Sequence, residues 1–487
     1  MNVIKKICII GTGFSGICMG IKLKEAGIED FVLLEKSGEV GGTWRENTYP
    51  GAECDVPSAL YSYSFEPYPF WEYKWSHQPQ ILEYLKHCTK KHDLYSHIHF
   101  NRKMVSAKFL EDNGSWVIET VDGMRYESQI LISAVGQLHH PSIPKIEGQD
   151  KFKGISFHSA NWNHSISLKG KKVGVIGNAA SAIQFIPQIT KEAGSVSIFQ
   201  RSANWMFPKF DRPYKEWEKK LARIFPSFLK LYRFTIWLKM ELLLYMLMGN
   251  NKLFKKFGES ITINYINKII KNGELKKKLI PDYRIGAKRI LFSDNYYETL
   301  NNKNIEVIVD SINRITQKGV VTSNNEEKEL DVIIYATGFK TNPFLYQMDV
   351  KGLGGKSIHE TWSSGAEAYL GIMTAGFPNL FMMYGPNTNL GHSSIVIMIE
   401  SQTSYIIQCI KTIQDKNLKY MDVKKVVQDA YNVSIQKRLK SKAWNTVSKS
   451  WYKVGNRITN NWPGRTIEYI KQTKHLNLES YLLYYRQ

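Results

Sequence analysis

The sequence predicts an α/β fold built from two doubly wound, parallel-sheet units, the second interrupted by a helical insertion. Two observations predict it. The order strand, glycine turn, helix, strand occurs twice, over 7–34 and again over 173–199. From Tyr214 to Ile280 the pattern turns helical and basic with few glycines, which marks an insertion within the second unit rather than another sheet domain. A chain of 487 residues is long enough for two or three buried cores.

The first unit opens at Ile7 to Ile10. Lys5 and Lys6 before this run outline a signal peptide, but glycines break it at once, so it reads as a first strand. In Gly11-Thr12-Gly13-Phe14-Ser15-Gly16 the first glycine permits a tight turn, the second lets backbone approach a pyrophosphate, and the third packs helix on strand. A helix follows to about Ala26, then the strand Phe31 to Leu34, then Glu35. A carboxylate there accepts hydrogen bonds from a ribose diol and repels a 2′-phosphate, so FAD or NAD fits and NADP does not. The strand Ile130 to Ala134 ends at Gly136, and Pro141-Ser142-Ile143-Pro144 forms a rigid connector where the chain crosses between domains.

The second unit runs through Val173 to Ile176, then Gly177-Asn178-Ala179-Ala180-Ser181-Ala182, a helix to about Ile189, and the strand Val196 to Phe199. Ala179 stands where close backbone approach favours glycine. Arg201, however, follows Gly177 at the same offset that separates Glu35 from Gly11. A guanidinium followed by Ser202 suits a 2′-phosphate through charge and a planar donor fork. The two Rossmann-like sites therefore read as FAD first and NADPH second. Within the insertion, Lys230, Arg233 and Glu241 share a helical face with Lys239 opposite, an imperfect amphipathicity expected of a buried or site-covering helix rather than a membrane anchor. The strand Val332 to Tyr335 and the turn Ala336-Thr337-Gly338 are expected to return the chain to the first sheet. The implied boundaries are 1–142 and 335–487 for the FAD-binding domain, 143–208 and 284–334 for the NADPH-binding domain, and 209–283 for the insertion.

Composition excludes several classes. The net charge of +21 suits polyanionic partners, yet the lysines are spread along the chain without the aromatic-interleaved cluster of a nucleic-acid surface, so nucleic acid is excluded. The cysteines Cys8, Cys18, Cys54, Cys88 and Cys409 are odd in number and form no CxxC pair. That argues against a disulfide framework, a zinc site and a dithiol relay, and points to the reducing cytoplasm with no metal. The apolar stretch from Phe225 to Met248 carries Lys230, Arg233, Lys239 and Glu241, too many charges for a spanning helix. Only weak peripheral membrane contact is left open.

The segment Phe152-Lys153-Gly154-Ile155-Ser156-Phe157-His158-Ser159-Ala160-Asn161-Trp162-Asn163 resembles the fingerprint of type I Baeyer–Villiger monooxygenases, in which phenylalanine, glycine, histidine and tryptophan recur at this spacing before a proline or aspartate. Asn163 is the only departure. Related flavin-containing monooxygenases carry tyrosine or phenylalanine where Trp162 stands, so the tryptophan favours the Baeyer–Villiger branch. Taken singly, His158 is an ordinary linker histidine and Trp162 a packing residue; their joint spacing carries the signal. The resemblance extends to Gly41-Gly42-Thr43-Trp44, Tyr49-Pro50-Gly51-Ala52, Cys54-Asp55, Gly286-Ala287-Lys288-Arg289, Ala336-Thr337-Gly338-Phe339, the run from Gly385 to His392, and Asn461-Trp462-Pro463-Gly464.

The resemblance implies that NADPH reduces FAD, that dioxygen adds to the flavin as a C4a-peroxide, and that a ketone or aldehyde becomes an ester or lactone. It places Arg289 as the cation that holds the anionic peroxide and Asp55 as its orienting partner. Lys288 would join Arg201 and Ser202 on the NADPH phosphate, with Ser181 at the second turn and Thr43 and Trp44 on the flavin side. The fingerprint residues Phe152, Gly154, His158 and Trp162 would couple domain position to catalysis. Trp451, Tyr452 and Trp462 are expected to be packing residues, and His392 is assigned no chemistry. Oxygenation of a soft nitrogen or sulfur is the close alternative. A flavin-binding protein that has lost NADPH use, motivated by Ala179, is the alternative of another class. Pocket shape is set by loops and the insertion, so neither the individual substrate nor the oligomeric state follows from the shared motifs.

Overall fold

The computed structural model describes residues 2–249, 251–447 and 451–486. Strand β1 (Asn2–Ile10), helix α1 (Phe14–Glu25) and strand β2 (Phe31–Leu34) form the opening. β1 runs parallel to β2 on one side and to Arg125–Ser133 on the other, with Ile7 beside Phe31 and Ile130. A parallel strand covered on both faces needs a continuous apolar run, which Ile7 to Ile10 supplies. Arg125–Ser133 begins before the expected Ile130 because its first half pairs antiparallel with Ser115–Thr120, which pairs in turn with Met104–Leu110. Two late strands, Asp349–Lys351 and Leu380–Met382, also join this sheet.

The second sheet is parallel throughout, in the order Ile305–Ile308, Ser195–Phe199, Lys172–Ile176, Val332–Tyr335, Ile155–His158. Val332–Tyr335 therefore does not return to the first sheet. It lies inside the second, paired on both sides and buried along its length, as its Val-Ile-Ile-Tyr sequence suits. The return begins only at the turn after it. There the outgoing and returning segments are hydrogen-bonded to each other: Ser142 N–H donates to Gly338 O at 2.9 Å, and Lys340 N–H to His140 O at 2.8 Å.

The insertion folds as the helices Glu216–Ile224, Pro226–Lys239, Tyr245–Met248, Lys252–Ile269 and Gly273–Leu279, with a π-helical turn, Met240–Leu244, joining the second to the third. The expected shared face of Lys230, Arg233 and Glu241 splits. Arg233 Nη1 donates to Ala59 O, Leu60 O and Ser62 O at 2.7–3.0 Å, and Glu241 is buried against His392 and Thr466, whereas Lys230 and Lys239 are exposed. The guanidinium faces inward because three loop carbonyls satisfy it there. Among the described residues no helix is long and apolar enough to cross a membrane.

Candidate active site

Each glycine turn closes against the strand beside it. Gly11 has φ +101°, and a Cβ there would lie 2.8 Å from Ala134 O; one on Gly16 would lie 1.9 Å from Gly11 O. The turn thus requires glycine at both places. Gly13 caps the N-terminus of α1 without a side-chain partner, and a Cβ on it would meet only Gly42 Cα, at 3.8 Å. This leaves an open cradle of backbone N–H groups of the kind a pyrophosphate fills. Glu35 is buried at the end of β2, where it accepts from Thr12 N–H and Oγ1 at 3.1 and 2.6 Å and from Ser37 N–H at 3.0 Å, and pairs with Arg45 at 3.1 Å. Its carboxylate is thereby fixed at the edge of the cradle, and these donors fit FAD.

The second turn repeats the geometry. Gly177 has φ +105°, with Ala336 O standing where Gly11 has Ala134 O. Ala179 caps the helix Ala180–Ile189 at φ −83°, ψ −163°, against −80°, −165° for Gly13. The alanine occupies an extended conformation open to any residue, so its presence costs no backbone strain. At the end of Ser195–Phe199, Lys288 Nζ donates to Ser202 Oγ at 2.8 Å. Burial, together with the charge of Arg201, holds the Lys288 ammonium below the ordinary lysine value. Arg201, Ser202 and Lys288 line one part of the cavity, where the Asp282 carboxylate opposes the effect of burial on Lys288; two cations and a hydroxyl there fit a phosphate. Ser181 lines the same cavity and hydrogen-bonds the Tyr49 hydroxyl.

Both turns open into one cavity of about 1060 Å³. Among the described residues none of 209–283 lines it, so the described part of the insertion does not cover the site. Thr43 and Trp44 line it next to Gly42, and Trp44 Nε1 donates to Tyr61 OH at 3.2 Å. The loop after them docks on the second unit: Tyr49 OH donates to Gln184 Oε1 at 2.9 Å, and Gln184 Nε2 donates to Glu53 O at 3.0 Å. That docking carries Asp55 to Arg289, whose Nε and Nη2 both reach Asp55 Oδ2, at 2.6 and 2.5 Å. Arg289 is placed from the other side by Gly286, at φ +84°, and by the short strand Leu291–Phe292, which pairs parallel with Met206–Phe207. The Asp55 charge raises Arg289 above the ordinary arginine value despite burial, so the guanidinium stays charged, with about a third of its side chain (35%) accessible.

The fingerprint segment lies at the edge of the second sheet. Phe152 lays its ring against Gly154, where a Cβ would meet that ring at 2.5 Å and Asp331 O at 2.4 Å. His158 is buried; its Nδ1 accepts from Ala160 N–H at 3.1 Å and its ring packs edge-on to Phe339 at 5.9 Å. Burial holds this imidazole below the ordinary histidine value, against an opposing interaction with the Gly338 backbone. His158 thus touches the strap that returns to the first unit. Trp162 packs on Phe157 and Phe185. At the departure from the family pattern, Asn163 Oδ1 accepts from Ser165 N–H and Oγ, an Asx turn that an aspartate would also make.

Three side chains of the cavity escaped the motif reading. Trp451 and Tyr452, expected as packing, line it with Tyr384, although Tyr452 is also buried in the core that holds Trp462, as expected of both. Burial pushes the Tyr452 phenol up to about 12 and raises Tyr384 as well, each opposed by Arg289, so both hydroxyls remain donors at neutral pH. Tyr384 OH donates to Asn389 Oδ1 at 2.7 Å. Asn389 lies in the run from Gly385 to His392, and that was the available signal. Nothing local marks the tyrosines, which reach the cavity through long-range folding. His392, assigned no chemistry, is buried in the bend before the helix Ile395–Asp415, 3.2 Å from Glu241.

A model of the flavin-binding monooxygenase-like family matches residues 4–358. A Baeyer-Villiger monooxygenase of Pseudomonas aeruginosa is 40% identical, over 98% of this chain and 91% of that protein. The closed crystal structure of cyclohexanone monooxygenase superposes with a TM-score of 0.90 at 25% identity, covering 100% of both chains. The crystal structure of OTEMO in complex with FAD and NADP gives 0.89 at 26%, covering 98% of this chain and 99% of that one.

Proposed function

Since the chain belongs to the flavin-binding monooxygenase-like family, we propose that it inserts one oxygen atom of dioxygen into a ketone or aldehyde to give an ester or lactone. It is an FAD-dependent, NADPH-consuming monooxygenase of the Baeyer–Villiger type. The observation that carries the reading is the Asp55–Arg289 pair in a cavity shared by both glycine turns. The flavin, when bound, supplies hydride acceptance from NADPH and activation of dioxygen.

The remaining work falls to the chain. Gly11, Gly13, Gly16 and Glu35 hold FAD, with Thr43 and Trp44 beside it; Gly177, Ser181, Arg201, Ser202 and Lys288 hold NADPH. Arg289, fixed by Asp55, sets a permanent cation in the cavity, where it stabilises negative charge on oxygen without solvent reorganisation. Asp55 also orients that guanidinium across the boundary between the two units. Tyr384 and Tyr452 keep their protons beside it, the Tyr384 hydroxyl held by Asn389 Oδ1. A carbonyl substrate, whose oxygen turns anionic on attack, gains from this arrangement; a soft amine or sulfide gains less.

The test is anaerobic reduction of the purified yellow protein by NADPH or NADH, followed by oxygen and product analysis on a panel of ketones, amines and sulfides. NADPH-selective bleaching with ester formation is expected. N-oxides or sulfoxides without esters would move the assignment to heteroatom oxygenation, and absence of reduction by either nucleotide would overturn it.

A further inference from the structure

The helical insertion turns its polarity inside out. Its charged side chains Arg233 and Glu241 face the protein, while Leu231 (62% exposed), Phe234 (51%), Leu238 and Leu243 (61%) recur at helical spacing on the outer face. The helix Lys252–Ile269 adds Leu253 (78%) and Phe257 (64%) in its first turns. Side chains of this size repeating along two helices of the insertion are not the scattered exposure of an ordinary surface. The charges among them have one sign. Lys230, Lys239, Lys252 and Lys256 are exposed, and the only acidic residue between positions 219 and 257, Glu241, is buried.

We propose that this face of the insertion is a peripheral membrane-binding surface, taking a bilayer with anionic headgroups. Apolar side chains would enter the boundary between headgroups and acyl chains, and the lysines would meet the headgroup charge. A second copy of the chain is a poorer occupant, because pairing the same face would set lysines against lysines. The inward-facing Arg233 and Glu241 are already satisfied by the protein, so docking leaves no charge to be desolvated in the apolar layer. The surface lies on residues that do not line the cavity, so the proposal stands or falls independently of the reaction assigned above.

The test is co-sedimentation of the flavin-loaded enzyme with vesicles of phosphatidylglycerol and phosphatidylcholine, and with phosphatidylcholine alone. Binding to the anionic vesicles that weakens at high salt is expected. The combined substitution Leu231→Ser, Phe234→Ser, Leu243→Ser and Phe257→Ser should lower vesicle affinity about tenfold or more while flavin content and NADPH oxidation are kept. A charge-only variant, Lys230→Gln with Lys239→Gln and Lys252→Gln, should also bind less and guards against misfolding of the first. Failure of the unaltered enzyme to sediment with anionic vesicles would overturn the proposal. So would a lipid-free dimer, seen by analytical ultracentrifugation, that the serine substitutions abolish while vesicle binding is absent.

Discussion

At the scale of single residues two arginines of the cavity, Arg289 and Arg201, are set to different tasks by their partners. Arg289 is clamped by Asp55 and cannot swing away, so its charge belongs to the reacting centre. Arg289→Ala should keep FAD and its reduction by NADPH while ester formation falls about two to three orders of magnitude, the range for losing a fixed charge-stabilising donor; unimpaired turnover would remove it from the reaction. Arg201 is exposed beside the Lys288–Ser202 pair. Arg201→Ala should raise KM for NADPH about 10- to 100-fold, the worth of one charge-assisted bond, with little change for NADH; equal effects on both nucleotides would sink the 2′-phosphate assignment. Asp422, far from any motif, is raised by burial from 3.8 to about 7. Between those values the folded state holds a proton that the unfolded state has released, so this carboxyl costs stability as pH rises toward 7 and the cost is constant above it. Asp422→Asn should flatten that part of the thermal midpoint against pH, as a scan from pH 4 to 8 on both proteins would read.

At the scale of elements the glycine turns were legible because their requirement is local. Gly11, Gly16 and Gly177 each leave no room for a Cβ, and spacing alone announces such constraints. Gly16→Ala should therefore yield protein with little visible flavin absorbance, since its methyl would lie on Gly11 O. Arg201 was legible for a similar reason, as an offset repeated from the first unit. The insertion was less so. Its composition announced helices, but which face turned inward depended on three carbonyls of a loop more than 170 positions away, which no periodicity contains. Glu241 ties the same helical run to the C-terminal part of the chain. Burial raises its carboxyl and bonds from His392 and Thr466 bring it below the ordinary value. Removing it strips Thr466 N–H and Oγ1 and His392 of an acceptor, so Glu241→Ala should cost about 3 kcal/mol, read as a lowered denaturation midpoint with the flavin site intact. A change within error would mean that water replaces the carboxylate freely.

At the scale of the whole molecule, the site exists only where two units meet. Asp55 comes from one and Arg289 from the other, and the loop that carries Asp55 is pinned to the opposite helix through Tyr49 and Gln184. Gln184→Ala should thus loosen Asp55 from Arg289 without touching either; ester yield per NADPH consumed should fall, and an unchanged yield would show that the pair holds itself. Tyr384 and Tyr452 belong to this scale as well, which is why reading motif by motif passed them over. The same long range explains the misplacement of Val332–Tyr335: its apolar sequence fits the interior of either sheet, and only the three-dimensional order chooses.

The paired crossing, with Ser142 bonded to Gly338 and His140 to Lys340, gives the second unit adjacent ends. In modular terms it is a cassette. A single short link from 142 to 338 would close the parent chain without disturbing the order of its first sheet. The released segment could likewise be joined end to end and reopened elsewhere, because its entry and exit already stand side by side.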